Sequence, residues 1–95
     1  MWKIINDIGQ IGSENGIIIK DEEYKDFCRV TLEKCEKYCA ITSGVYGAML
    51  HTTFCGFSDR EKLYKEIKNE LQKFIDADTN KEEGERFYDW FVSKY

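Results

Sequence analysis

The hydrophobic positions in the last third of the chain follow a helical period. Ser58-Asp59-Arg60-Glu61 precedes them as a capping box, in which the Ser and Glu side chains satisfy free backbone amides. The apolar residues then recur at every fourth position, at Leu63, Ile67, Leu71 and Ile75. This spacing gives a helix one apolar face. It predicts an amphipathic helix over residues 59–77 that packs on a core.

A second helix is predicted after a very short break. Thr79-Asn80-Lys81-Glu82 is another capping box, and acidic side chains are favourable in the first turn of a helix. The helix that follows carries five aromatic residues, Phe87, Tyr88, Trp90, Phe91 and Tyr95. They cover more than one helix face. Part of this aromatic surface must therefore contact a neighbouring element or another molecule.

The middle of the chain has the pattern of antiparallel strands. Between residues 28 and 33, apolar and polar residues alternate with the period of a half-buried strand. Asn15-Gly16 favours a turn, and the β-branched run Ile17-Ile18-Ile19 favours a strand after it. Two further β-rich stretches between Tyr38 and Cys55 are interrupted by glycines, which predicts a hairpin or a bulged strand.

The N-terminal segment fits two structures. Ile4, Ile8 and Ile11 have helical spacing, and Gly12 suits the position after a helix end, although isoleucine prefers strands. We favour a short helix. Strands that run together and are followed by helices indicate an α+β fold. The prediction is one compact domain over residues 1–95, with a small antiparallel sheet of three to four strands, a short N-terminal helix and two C-terminal helices packed on the sheet.

Composition and charge narrow the classes of function. The chain has 95 residues, with 14 basic and 18 acidic side chains and a net charge of −4. This balance argues against nucleic-acid binding, which needs clustered Lys and Arg. The longest apolar run, residues 38–41, is far shorter than the roughly 20 residues of a membrane span. Without a secretory signal we expect a cytoplasmic protein whose four cysteines are free thiols.

The cysteines and the single histidine are the candidates for metal binding or nucleophilic chemistry. Cys35 and Cys39, like His51 and Cys55, are separated by three residues. In a strand, however, positions 51 and 55 lie ~13 Å apart, too far to bind one ion, and no CxxC motif is present. We expect no metal and no cofactor. His51 with Cys55 or Cys39 could form a hydrolase pair, but no catalytic motif surrounds them, so we favour a non-enzymatic protein.

Two acidic clusters point toward a partner. The first contains Asp21, Glu22, Glu23 and Asp26, and the second contains Asp76, Asp78, Glu82, Glu83 and Glu85. The second cluster begins like a calcium loop, but Lys81 stands where such a loop needs glycine and Phe87 where it needs glutamate. The clusters either cap helices in solvent or form an acidic face for a basic protein partner. In the latter case Tyr88 and Trp90 would add apolar contacts.

These segments resemble bacterial immunity-type proteins of polymorphic toxin systems, over roughly residues 15–75. The resemblance lies in Ile17–Tyr24, Arg29–Glu33, the central Tyr38–Gly47 and Leu50-His51-Thr52. It implies a protein that neutralises a toxin by binding it, with the acidic faces and exposed aromatics as contact surface. The alternatives are a homodimer that pairs through the aromatic helix and a Cys/His-dependent hydrolase.

Overall fold

The computed structural model describes residues 1–95 as one antiparallel sheet followed by two helices. In chain order the elements are β1 (Trp2–Ile4), β2 (Ile17–Tyr24), β3 (Cys28–Lys34), β4 (Cys39–Val45), β5 (Met49–Cys55), a single 3₁₀ turn (Phe57–Asp59), α1 (Arg60–Asp76) and α2 (Lys81–Lys94). Each strand pairs with the next along the chain, so the sheet order is β1-β2-β3-β4-β5. The predicted α+β class is confirmed. No helix combines the length and apolar character that crossing a membrane requires.

The alternation predicted for β3 sorts its residues onto the two faces of the sheet. Cys28, Val30 and Leu32 are fully buried and belong to one core cluster with the α1 side chains. The buried α1 residues are Tyr64, Ile67 and Leu71, which include two positions of the predicted stripe. Both helices thus lie on one face of the sheet, and the opposite face, called the open face below, carries no helix.

The hairpin predicted between residues 38 and 55 is formed by β4 and β5. A three-residue loop joins the strands, and Gly47 in that loop has a φ of 76°, a conformation that glycine adopts without strain. The strands pair without a bulge from Val45 opposite Met49 to Cys39 opposite Cys55. The Asn15-Gly16 turn is also present, with Asn15 at a φ of 62°, directly before β2.

The predicted N-terminal helix is wrong, and the sheet has five strands instead of three or four. Residues 2–4 form β1 on β2, with Trp2 opposite Tyr24. Residues 5–16 form an irregular segment whose Gly9 amide donates to the Ile18 carbonyl. Ile4 and Ile11 remain 72% and 63% exposed, so the apolar spacing covers no core. The free edge of β2 satisfies these backbone groups, and that edge lies too far along the chain for local spacing to reveal it.

The helix starts differ from the predicted capping boxes. The residues before α1 form the 3₁₀ turn, and Asp59 caps α1 without any side-chain hydrogen bond, so Ser58 makes no capping box. At α2 the cap is Asn80, one residue later than predicted, and its side chain accepts the Glu83 amide at 2.9 Å. The helices themselves lie where the periodicity predicted them, because burial of an apolar face decides a helix more strongly than its cap does.

Truncation of one buried α1 residue tests this core. Leu71→Ala removes a side chain with 0% exposure from the contact between α1 and the sheet. We expect a loss of about 2–5 kcal/mol in the free energy of unfolding, measured by urea denaturation. Val92→Ala in α2, where the valine is 41% exposed, is the control and should change stability by about 0.5 kcal/mol or less. Equal losses in the two variants would contradict the assigned core.

Candidate functional site

The first acidic cluster contains a buried carboxylate that is bound within the fold. Asp21 is 1% exposed on the open face of the sheet. Arg29 donates to it through Nε at 2.9 Å and also through Nη2, and Thr31 Oγ1 donates at 3.0 Å. Burial raises the pKa of the Asp21 carboxyl, but the hydrogen bonds from Arg29 and Thr31 outweigh burial and hold the pKa below its usual value. Asp21 therefore stabilises the sheet and is not accessible to a partner.

The next two acidic residues of β2 also accept hydrogen bonds from other side chains of the chain. Glu22 lies on the helical side, where Lys68 Nζ and Tyr64 Oη each donate to its Oε2 at 2.8 Å. Glu23 lies on the open side and accepts a hydrogen bond from the Tyr46 hydroxyl. Of the first predicted cluster, only Asp26, in the turn after β2, is exposed.

Two turns that are distant in sequence meet at one end of the molecule. Lys25, after β2, donates to Asp76 Oδ1 at 2.9 Å, and Tyr24 Oη donates to the same carboxylate at 2.7 Å. These hydrogen bonds lower the pKa of the Asp76 carboxyl. The β2–β3 turn and the α1–α2 turn together line a depression of about 320 Å³, with Phe27 and Asp78 among its lining residues. Asp26 and Asp78 are thereby brought to the same end.

The second acidic cluster continues this end along the first turns of α2. Glu82, Glu83 and Glu85 are exposed, and the one ion pair among them is a 3.6 Å contact between Glu82 and Arg86. Exposed pairs of this kind contribute little to stability, so their charge is available to a partner. We name this surface the acidic end. It comprises Asp26, Asp78, Glu82, Glu83 and Glu85, together with Asp76, which is bound to Lys25 and Tyr24.

The aromatic residues of α2 pack mostly inside the molecule. Phe87 stacks on Phe74 of α1 with ring centroids 4.1 Å apart, Tyr88 meets the same ring edge-on at 5.4 Å, and Phe91 is fully buried. Trp90 is 42% exposed and lines, with Phe87, a depression of about 480 Å³ between the helices.

Sequence reasoning missed Phe27 as an exposed aromatic at the acidic end. Its side chain is 57% exposed. The available clue was an aromatic residue in a charged turn, directly after Lys25-Asp26 and outside the alternation of the following strand. Phe27 gives the acidic end an apolar side chain that the fold does not bury.

The histidine and the cysteines are not brought together. His51 and Cys55 lie on the same face of β5, four residues and ~13 Å apart along the strand. Cys39 lies opposite Cys55, and burial raises the pKa of both thiols, which disfavours a reactive thiolate. No group of three or more His, Cys, Asp or Glu residues is arranged to hold a metal ion.

The helical side of β5 holds polar atoms without partners. The ring of His51 meets Phe91 edge-on with centroids 6.2 Å apart. His51 Nε2, Thr53 Oγ1 and Ser43 Oγ, in the strand opposite, are buried and make no hydrogen bond. Each buried polar group without a partner costs about 1–3 kcal/mol, and two of the three lie on the edge strand β5.

The open face carries a groove beside the glycines of the β4–β5 hairpin. The groove has a volume of about 640 Å³, and Thr31, Thr42, Gly44 and Leu50 are among its lining residues. The irregular segment 5–16 is fixed beside it, because Glu33 Oε1 accepts the Gly16 amide at 3.2 Å. At Gly12 a Cβ atom would lie 2.3 Å from Glu33 Cδ, so any larger residue would displace the Glu33 side chain. Thr31 and Thr42 contribute hydroxyl groups to the groove. The charge of Arg29 at its side is balanced by the carboxylates of Asp7 and Asp21.

The pKa of Glu22 makes stability depend on pH. Burial raises the pKa of this carboxyl, but the hydrogen bonds from Lys68 and Tyr64 outweigh it, and the pKa lies below the ordinary glutamate value. Its contribution is therefore complete above the unfolded-state pKa of about 4.3 and is lost as the pH falls through the lower folded-state pKa.

Glu22→Gln tests this linkage. We expect it to reduce the free energy of unfolding by about 1–3 kcal/mol at pH 7, with the difference from the parent protein shrinking at pH 3, in urea denaturation at each pH. Glu36→Gln, at an exposed residue, is the control and should leave stability unchanged at both pH values. A Glu22→Gln difference that is constant from pH 7 to pH 3 would contradict the assigned ion pair.

Comparisons of the chain with protein-family models, with characterised proteins and with solved structures found no match.

Proposed function

We propose that this protein is a small binding protein whose acidic end contacts a basic surface of a partner protein, as an immunity-type inhibitor does. The supporting observation is the division of the acids between two roles. Asp21, Glu22 and Glu23 are bound within the fold, whereas the meeting of the two turns gathers exposed carboxylates at one end. Acids that the fold does not use are the ones that remain available for recognition.

The expected advantage of this arrangement is a faster encounter with the partner. Like charges gathered on one surface produce a potential that attracts an opposite charge and raises the association rate, most strongly at low salt. The net charge of −4 adds to this attraction over the whole molecule. A basic toxic protein, such as an enzyme that acts on nucleic acid, has the complementary surface.

Exposed aromatics supply the apolar part of the proposed contact. Phe27 lies at the acidic end, and Trp90 lies one helix turn or more beyond it on α2. Aromatic side chains carry a large share of the binding energy at protein interfaces when charged residues surround them. The proposed surface therefore combines steering by carboxylates with burial of one or two rings. The resemblance to immunity-type proteins carries with it a bacterial, cytoplasmic setting.

The two alternatives have less support. A homodimer through the aromatic helix needs free rings, but Phe87 and Phe91 already pack inside the molecule. A hydrolase needs a nucleophile within hydrogen-bond reach of its base, and no cysteine lies beside His51.

Charge reversal at the acidic end tests the proposal. The probe is the product of the reading frame that neighbours this gene, since immunity-type proteins are encoded beside their toxins. We expect the double variant Glu82→Lys/Glu85→Lys to lower the association rate about tenfold at low ionic strength and to flatten its salt dependence. Stopped-flow kinetics at several salt concentrations provide the measurement.

The control reverses two exposed acids elsewhere. The double variant Glu36→Lys/Asp59→Lys changes the net charge by the same amount. It should slow association much less if the position of the charge matters. Equal slowing by both double variants, or no complex with the neighbouring product at all, would overturn the proposed function. Circular dichroism of each variant confirms that the fold is retained.

A further inference from the structure

The edge strand β5 has features of a pairing surface. Its seven residues, Met49 to Cys55, form the last strand of the sheet, and their backbone hydrogen bonds all go to β4. The opposite edge, β1, has only three residues. Exposed edges normally carry charges or proline that prevent pairing with another chain. The sequence MLHTTFC of β5 contains neither.

We infer that β5 pairs with the β5 of a second copy of this chain, in an antiparallel arrangement centred on Thr52. A two-fold axis through this centre joins the two five-stranded sheets into one continuous sheet with all helices on the same side. Such a contact is closed, because each copy uses its only long free edge and presents the same surface to the other. The inference does not depend on the acidic end or on its partner.

The side chains on the open face are complementary in this register. Leu50 of one copy lies opposite Phe54 of the other, and the same pair recurs on the far side of the axis. These are among the most exposed large hydrophobic residues of the chain, at 78% and 56%. Tyr38, which meets Phe54 edge-on at 5.5 Å, extends the apolar contact. A second copy therefore covers the apolar surface that β5 leaves open.

The side chains on the helical face are complementary as well. The same register places His51 of one copy opposite Thr53 of the other. His51 Nε2 and Thr53 Oγ1 are both buried without a hydrogen-bond partner in the single chain. A rotamer change in these side chains brings an acceptor and a donor together across the axis. The unpartnered atoms are an observation separate from the exposed apolar residues, and both select the same pairing.

Charge and area also fit a second copy. Each chain carries a net charge of −4, but the pairing strand contains no Asp, Glu, Lys or Arg, so none of these charges face each other across the axis. Pairing two seven-residue edges with their exposed side chains buries about 1,000 Å² in total, close to the lower limit for a biological interface. The expected dimer is therefore moderately stable, with a Kd in the micromolar range.

Sedimentation equilibrium of the full chain from about 1 to 500 µM tests the inference. We expect a reversible monomer–dimer equilibrium without larger species. Leu50→Lys should raise the dimer Kd at least tenfold, because it removes the apolar contact and places charge at the edge. A chain that stays monomeric throughout this range, or one that forms open-ended oligomers, would overturn the proposal.

Two double variants test the register itself. In Leu50→Lys/Phe54→Glu the new lysine lies opposite the new glutamate of the other copy, and dimerisation should recover relative to Leu50→Lys. In Leu50→Lys/Phe54→Lys the like charges oppose each other and the protein should remain monomeric. Trp90→Lys, on the exposed surface of α2, should change the Kd less than twofold. A dimer that Trp90→Lys disrupts and Leu50→Lys does not would assign the interface to the aromatic helix and contradict the proposal.

Discussion

The fold depends on a single layer of helices that covers only one face of a five-stranded sheet. The covered face carries the apolar core, which includes Cys28, Val30 and Leu32 of β3 and the inner side of α1. The open face has no such cover and must satisfy its polar groups within the sheet and the segment 5–16. Arg29 does so at the centre, where it binds Asp21 of β2 and reaches Asp7 of the segment with Nη2 at 2.9 Å. A buried carboxylate without this partner would be strongly destabilising.

Because helices cover only one face of the sheet, the face to which each acidic residue points determines its role. On β2, alternate acids point to opposite faces, so Asp21 is held by Arg29 on one side and Glu22 by Lys68 on the other. The turn that follows β2 is anchored to the end of α1 through Lys25 and Asp76. Asp78, in the α1–α2 turn, therefore lies at the same end of the molecule as Asp26, and the exposed carboxylates of α2 follow that turn. The proposed partner contact rests on this placement.

The sequence predicted the elements whose causes are local. The four-residue spacing of α1, the alternation of β3 and the glycine loop between β4 and β5 each act within a few residues, and all three appear in the structure. The N-terminal helix was predicted wrongly because the isoleucine spacing suits a helix. Residues 2–4 instead form β1, which pairs with the edge of β2 about 18 residues away. Asp21 is one of four consecutive charged residues in β2, and nothing in the sequence distinguishes it from the surface acids beside it until segment 5–16 covers it. The meeting of the two turns joins residues about 50 positions apart, which no pattern along the chain records.

Arg29 holds the open face together, and the variant Arg29→Met tests this role. We expect a loss of about 3 kcal/mol in the free energy of unfolding, because Asp21 is left buried without its partner. We also expect faster hydrogen exchange of the Gly9 and Gly16 amides, whose hydrogen bonds to the Ile18 carbonyl and the Glu33 carboxylate hold segment 5–16 on the sheet. Lys20→Met, which breaks the exposed pair with Glu61 at 2.7 Å, is the matched control and should cost about 1 kcal/mol or less. If the two variants lose the same stability and the glycine amides of Arg29→Met stay protected, Arg29 does not hold the open face together.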